Sequence, residues 1–342
     1  MTDERMSTGD APSRADDGPA RGSTLARARN IRCVYGGGEE DFTAVDGVSL
    51  QLGDGEILGL AGESGCGKTT LGNALSMIAT PPLYVLSGTL EIDGEEIDLS
   101  TLHASDLTRH RPYRGRTVAM LPQGAMNSIS PTLRISSLVK DVMRAHDPKV
   151  TKDEALDVAR ERLTMLEMPV RVLDSYAHQL SGGMKQRMIT VISTLQNPRL
   201  LIADEPTSAL DVSSQRMLVE MLLAMVEQGI MSGVIFVTHD LPVLSQVSDR
   251  LAIMNAGRLV ETGPTRRLVE DPQHEYTRTL LSSVLDPSHE TRRRGVARRT
   301  GHAAAGADPR DPADPSGTAD PSGPAGPATT ATTTSTEEVG TP

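Results

Sequence analysis

The segment Gly62-Glu63-Ser64-Gly65-Cys66-Gly67-Lys68-Thr69 constrains the fold more than any other part of this chain. It fits the pattern G-x-x-x-x-G-K-[ST]. A short apolar run at 57–61 precedes it, and a helix-compatible stretch at 70–78 follows. Strand, glycine-rich loop and helix in that order call for an α/β layer in which the strand's end opens directly into a helix. The glycines let successive backbone N–H groups turn toward one point, where phosphate oxygens fit. The positive end of the following helix reinforces that preference. Lys68 is then a point charge for the outer phosphates of a nucleotide, and the Thr69 hydroxyl is an oxygen ligand for Mg²⁺. Cys66 lies inside the loop without a histidine neighbour in sequence, so it reads as a bystander with its side chain turned off the phosphates.

The rest of the chain repeats the strand-then-helix rhythm. Short apolar runs bounded by Gly, Asp or Pro occur at 56–61, 117–121, 200–203, 234–238 and 251–254. Between them lie helix-period segments. The stretch 152–168 places Ala155, Val158, Leu163 and Leu166 close to one side. The stretch 215–227 carries Met217, Met221 and Met225 at i, i+4 spacing, which reads as core packing. Strands alternating with helices predict an α/β core with a mainly parallel sheet.

Composition sets limits on function. Only 2% of the 342 residues are aromatic, with no Trp, two Phe and five Tyr. A stacking platform for single-stranded nucleic acid needs more than that. The net charge of −11 lacks the basic footprint of a DNA or RNA binder, so no nucleic-acid partner is expected. Two cysteines, Cys33 and Cys66, are too few for a disulfide framework or a Cys-rich metal site. No run of about 18 apolar residues exists to span a bilayer, and the N-terminus has no apolar signal-peptide region. Residues 1–23 and 287–342 are polar and small, and are expected to be disordered. They leave a folded region of residues 24–286. The cluster Arg292, Arg293, Arg294, Arg298 and Arg299 reads as a solvated linker.

Further motifs complete a nucleotide site. The apolar run at 200–203 ends in Asp204 and Glu205: Asp204 would orient Mg²⁺, and Glu205 would polarise a water against the γ-phosphate. Leu180-Ser181-Gly182-Gly183 precedes a helix expected from about Gly183 through Leu195, with Ser181 as its N-cap. Two glycines at a helix start suit close approach of an anion. Gln123 and His239 each follow a strand, where ligands gather in open α/β sheets.

Taken together, these motifs resemble the ATP-binding subunits of ABC transporters. They occur in that family's order: phosphate loop Gly62 to Thr69 with Thr70, Q-loop Gln123, signature Leu180 to Gly183, Walker B strand ending in Asp204 with Glu205 next, D-loop Ser208-Ala209-Leu210-Asp211, and switch His239. The likeness covers residues 26–285. Finer features are similar to the oligopeptide/dipeptide and nickel permease branch. These are Ala44-Val45-Asp46-Gly47-Val48-Ser49, Pro122-Gln123-Gly124-Ala125-Met126-Asn127-Ser128, Tyr176-Ala177-His178-Gln179, Ala256-Gly257-Arg258 and His274-Glu275-Tyr276-Thr277-Arg278. Glu275 stands where that branch has Pro, Pro122 where it has Phe, and Thr69 where it has Ser. With no Cys beyond residue 66, the iron–sulfur cluster of some members is not expected.

The resemblance implies a P-loop ABC-type ATPase core with a mainly parallel sheet, an N-terminal antiparallel β region, a helical subdomain at about 124–190 and a branch-specific C-terminal segment at about 264–286. It implies ATP and Mg²⁺ as ligands, Tyr35 stacked on adenine, and Glu63, Ser64, Gly65 and Cys66 within the phosphate cradle. Thr69, Gln123 and Asp204 would serve the metal, and Glu205, His239 and Gln123 the chemistry. A second ATPase subunit, identical or different, would receive Ser181, Gly182 and Gly183 at its own nucleotide and face Asp211. Integral membrane permease subunits would be the direct partners and an extracytoplasmic solute-binding protein an indirect one, with the chain on the cytoplasmic face of the membrane. The function implied is powering uptake of peptides or similar small solutes. The alternative is the ATPase of a soluble carbon–phosphorus lyase type complex.

Overall fold

The computed structural model describes residues 23–37, 41–102, 109–125, 129–208 and 210–285. The expectations for residues 1–22 and 287–342, the Arg292 to Arg299 cluster, Met126, Asn127, Ser128 and Ala209 lie outside the described residues.

The described residues form two sheets. The first is antiparallel, with β1 (Thr24–Tyr35), β2 (Phe42–Gly53), β4 (Leu83–Ile92) and β5 (Glu95–Asp98) in the order β2-β1-β4-β5. The second has six strands. They are β3 (Glu56–Ala61), β6 (Val118–Leu121), β7 (Leu200–Asp204), β8 (Gly233–Val237), β9 (Arg250–Asn255) and β10 (Arg258–Pro264), in the order β10-β9-β3-β8-β7-β6. The strands from β9 to β6 pair in parallel, and β10 closes one edge antiparallel.

The parallel strands are continuous apolar runs because both of their faces are covered. Alternate residues feed different cores. Ile57, Leu201, Ala203, Val234 and Phe236 join one cluster, while Leu58, Leu60, Leu200, Ile202, Ile235 and Val237 join the other. The second cluster is closed by the antiparallel sheet and by α1 (Lys68–Leu75), whose Leu71, Ala74 and Leu75 are buried there. The first is closed by helices α2 (Ile135–His146), α3 (Lys152–Met165), α4 (Gly182–Thr194) and α5 (Val212–Glu227). Helices α6 (Leu241–Val247), α7 (Thr265–Glu270) and α8 (Glu275–Leu285) add to that side.

Local chemistry sets the helix starts. Thr151 and Glu154 form a reciprocal capping box at α3. Ser181 caps α4 and Asp211 caps α5. Helix α3 stops at Met165, earlier than the apolar period suggests, yet Leu166 and Met168 remain buried beyond its end. The methionine stripe of α5 packs only in part. Met221 and Met225 are in the core, but Met217 is 45% exposed. The buried face runs through Leu218, Met221, Leu222 and Met225, and the core covers it only from Leu218 onward. Among the described residues, no helix is long and apolar enough to cross a membrane.

Candidate functional site

The phosphate loop leaves the end of β3 and enters α1 as expected. Gly62 and Gly67 are there because nothing larger fits. Their φ angles are +152° and +104°. A Cβ at Gly62 would lie 2.2 Å from the Met254 carbonyl oxygen, and one at Gly67 would lie 2.2 Å from that of Ala44. Gly67 caps α1 without a side-chain hydrogen bond, so the first N–H groups of the helix keep their capacity for an anion. Lys68 is 6% exposed. Its ammonium donates to the Gly62 and Glu63 carbonyls, both at 2.8 Å, and lies 3.6 Å from Cys66 Sγ. Cys66 is buried and faces Gly62.

The loop is braced from two distant segments. The Gly257 N–H donates to the Cys66 carbonyl at 3.0 Å, from the tight β9–β10 turn in which Ala256 and Gly257 both have positive φ. The Glu63 N–H donates to the Tyr276 hydroxyl at 3.0 Å, from α8. Sequence reasoning singled out both segments without giving either residue a role. The signal was there in their flanking motifs, but the contact joins residues 213 positions apart.

Three further site residues converge at the ends of adjacent parallel strands. Gln123 follows β6, Glu205 follows β7 and His239 follows β8. Gln123 Nε2 donates to Glu205 Oε2 at 2.8 Å, and His239 Nδ1 lies 2.8 Å from Glu205 Oε1. The Glu205 backbone is left-handed at φ +45°, and its N–H donates to the Val237 carbonyl at 2.8 Å. A non-glycine residue held in that region is strained and needs surrounding bonds to keep it there.

Asp204, the last residue of β7, is fully buried. Neither of its carboxylate oxygens meets a donor in good hydrogen-bond geometry. Burial pushes its pKa up, and the nearby Thr69 hydroxyl and Lys68 ammonium only partly oppose that. A buried carboxylate with free oxygens beside a threonine hydroxyl is a donor set that suits a hard, oxygen-preferring cation. Among the described residues no group of three His, Cys, Asp or Glu gathers, so phosphate oxygens and water would have to complete such a shell.

Tyr35 ends β1, half-buried, with its hydroxyl 3.1 Å from Thr70 Oγ1 on α1. That contact ties the expected base-binding tyrosine to the phosphate-binding helix. Ser181 accepts from the Met184 N–H, and Gly182 and Gly183 open α4 beside it. Asp211 accepts from the Ser213 hydroxyl at 2.5 Å and from the Ser214 N–H and hydroxyl at 3.0 and 2.8 Å. Those bonds hold its carboxyl well below the usual range.

Comparison with known proteins identifies the family. A family model described as ABC transporter matches residues 45–208. A second, described as oligopeptide/dipeptide transporter C-terminal region, matches residues 260–309. The dipeptide transport ATP-binding protein DppD of Caldanaerobacter subterraneus is 36% identical over 264 residues, covering 77% of this chain and 79% of that protein. The oligopeptide transport ATP-binding protein OppD of Bacillus subtilis is 37% identical over 254 residues, covering 73% and 68%. Among solved structures, the dimeric post-hydrolysis state of the ATP-binding cassette MJ0796 bound to ADP and Pi superposes with a TM-score of 0.60 at 26% identity. It covers 71% of this chain and 99% of that one.

Proposed function

The chain belongs to the ATP-binding proteins of ABC transporters, in their oligopeptide/dipeptide branch, and from that premise we propose that it hydrolyses ATP to power uptake of peptides or similar small solutes through partner membrane subunits. The observation that carries the reading is the row of strand ends. The phosphate loop, His239, Glu205 and Gln123 follow β3, β8, β7 and β6, four neighbouring parallel strands, so all open on one edge of the sheet.

In this reading the residues divide the work. The loop N–H groups from Gly65 to Thr69, the start of α1 and Lys68 hold the phosphates. Tyr35 stacks on the base. Thr69 and Asp204, with Gln123, are the groups that would hold Mg²⁺, which when bound neutralises charge on the β- and γ-phosphates. Glu205 accepts the proton of the attacking water on a lone pair that its two neighbours leave open. Gln123 and His239 each meet one oxygen in the single chain, which holds the carboxylate in place until the site closes. Closure would come from a second ATPase subunit, identical or different. Ser181 and Gly183 would reach its nucleotide, and Asp211, an N-cap here, would lie at that junction. Residues 124–190, as a helical subdomain, would pass the motion to permease subunits at the cytoplasmic face of the membrane. A solute-binding protein on the far side would deliver the cargo.

Copurification from membranes, followed by reconstitution, tests the function. The expected result is recovery with integral membrane proteins and ATP hydrolysis that rises when peptide is supplied. Recovery with a soluble enzyme complex and no membrane protein would replace import with the carbon–phosphorus lyase type of role.

A further inference from the structure

The Gly62–Glu63 peptide unit is held at both ends. Its carbonyl accepts the Lys68 ammonium at 2.8 Å, and its N–H donates to the Tyr276 hydroxyl at 3.0 Å. From this geometry we infer that Tyr276 is a positioning residue for nucleotide binding: by fixing the tilt of that one peptide plane, it fixes one of the two carbonyls that aim Lys68. The inference rests on the proposed reading of the loop as the ATP site.

Tyr276 is itself well fixed. The Glu261 carboxylate on β10 accepts the Gln273 and His274 N–H groups at 2.8 and 3.0 Å, just ahead of α8. Arg278 donates back to the Pro272 and Gln273 carbonyls at 3.0 and 2.9 Å. The Tyr276 N–H donates to His274 Nδ1 at 3.1 Å, Thr277 is fully buried, and the Tyr276 ring packs against the core formed by the parallel sheet and its helices. Five bonds and a packed ring therefore set the place of one hydroxyl. Gly62, with φ at +152° and no side chain, gives the peptide little resistance of its own to rotation. Losing the tyrosine bond would free the plane to turn and carry the carbonyl away from the ammonium. This gives the His274-Glu275-Tyr276-Thr277-Arg278 segment a task at the site, although it lies far from every nucleotide motif in sequence.

The test compares Tyr276→Phe with Leu280→Ala in the full-length subunit, where Leu280 lies one turn further along α8 and packs on the same core. ATP affinity is read by calorimetry, melting temperature without nucleotide, and KM against kcat in membranes with the partner subunits. Removing one partly exposed hydrogen bond predicts a three- to tenfold rise in Kd and KM for ATP, in line with ~0.5–1.5 kcal/mol per bond. kcat should stay within about twofold, and the melting temperature should fall by less than in Leu280→Ala. Leu280→Ala should lower the melting temperature and leave Kd in place. Unchanged ATP affinity in a folded Tyr276→Phe protein would overturn the inference. So would an equal loss of affinity in Leu280→Ala, which would assign the effect to helix docking alone. If the wild type itself binds no ATP, the proposed function fails first and the inference fails with it.

Discussion

His239 and Glu205 meet at 2.8 Å, imidazole Nδ1 against carboxylate Oε1, with Gln123 on the other carboxylate oxygen. A carboxylate gripped on both sides at a strained backbone position is built to be placed, and only secondarily to stabilise the fold. Glu205→Gln should keep ATP binding while turnover falls by about 10²–10⁴-fold, the usual worth of a general base. Because the two residues work through one carboxylate, adding His239→Ala to Glu205→Gln should cost little more. Hydrolysis rates and ATP affinities of the single and double variants check this. Undiminished turnover in Glu205→Gln would remove the catalytic assignment.

The three loop glycines are not equivalent. Gly67 has φ +104° and a Cβ there would press on the Ala44 carbonyl at 2.2 Å, whereas Gly65, at φ +83°, has open space around it. Gly65→Ala should carry only the left-handed backbone cost of about 1–2 kcal/mol. Gly67→Ala must also push the loop off β2, so it should lose more than tenfold in ATP affinity and melt several degrees lower. Equal effects at the two positions would show that the loop is looser than these contacts imply.

Asp204 makes the apo protein sensitive to pH. Burial raises its pKa, whereas in the unfolded chain an aspartate titrates near ~3.9. The sign follows from that order. Stability from the protonated form is complete below the unfolded pKa and is lost as pH rises through the folded pKa. Asp211 and Glu154, whose carboxyls are lowered chiefly by hydrogen bonds from Ser213 and Thr151, act in the opposite sense and weaken the protein as acid protonates them. The Asp204 contribution is therefore isolated by difference. Asp204→Asn should melt higher than wild type at pH 8 without nucleotide, because it removes a buried negative charge while keeping the side chain's shape. The gap should close toward pH 4, and the extra stabilisation given by MgATP over ATP alone should disappear in the variant. Calorimetric melting across that range is the measurement.

What the sequence disclosed and what it hid follow from the range of the interactions. The loop Gly62 to Thr69, the run ending in Asp204 and the Ser181 cap are local patterns, and each folds where its spacing says. The five apolar runs are strands because a parallel strand buried on both faces advertises itself. Sheet order was less visible in the residues, since β3 lies between β8 and β9, which come some 180 residues later in the chain. The bracing of the loop by Tyr276 and Gly257 was hidden for the same reason: no period or spacing links residue 63 to 276. Met217 shows the limit of a stripe, because i, i+4 spacing marks a helix face without saying how far along the helix that face stays covered.

Tyr35 supplies a final prediction, because its two parts do different things. Its hydroxyl bonds to Thr70 on α1, and the residue ends β1, paired in register with Phe42 and Leu83. If the ring stacks on the base, Tyr35→Ala should weaken nucleotide binding by about 1–3 kcal/mol. Tyr35→Phe should lose only the Thr70 bond, a few-fold at most. Every base has a π-face, so Tyr35→Ala should weaken ATP and GTP by the same factor, and pyrophosphate by no more than the few-fold loss of the Thr70 bond. Titrating the three ligands against the two variants decides it. A loss for pyrophosphate in Tyr35→Ala as large as that for ATP would mean that Tyr35 acts by holding α1 and the phosphate loop, and has no part in stacking on the base.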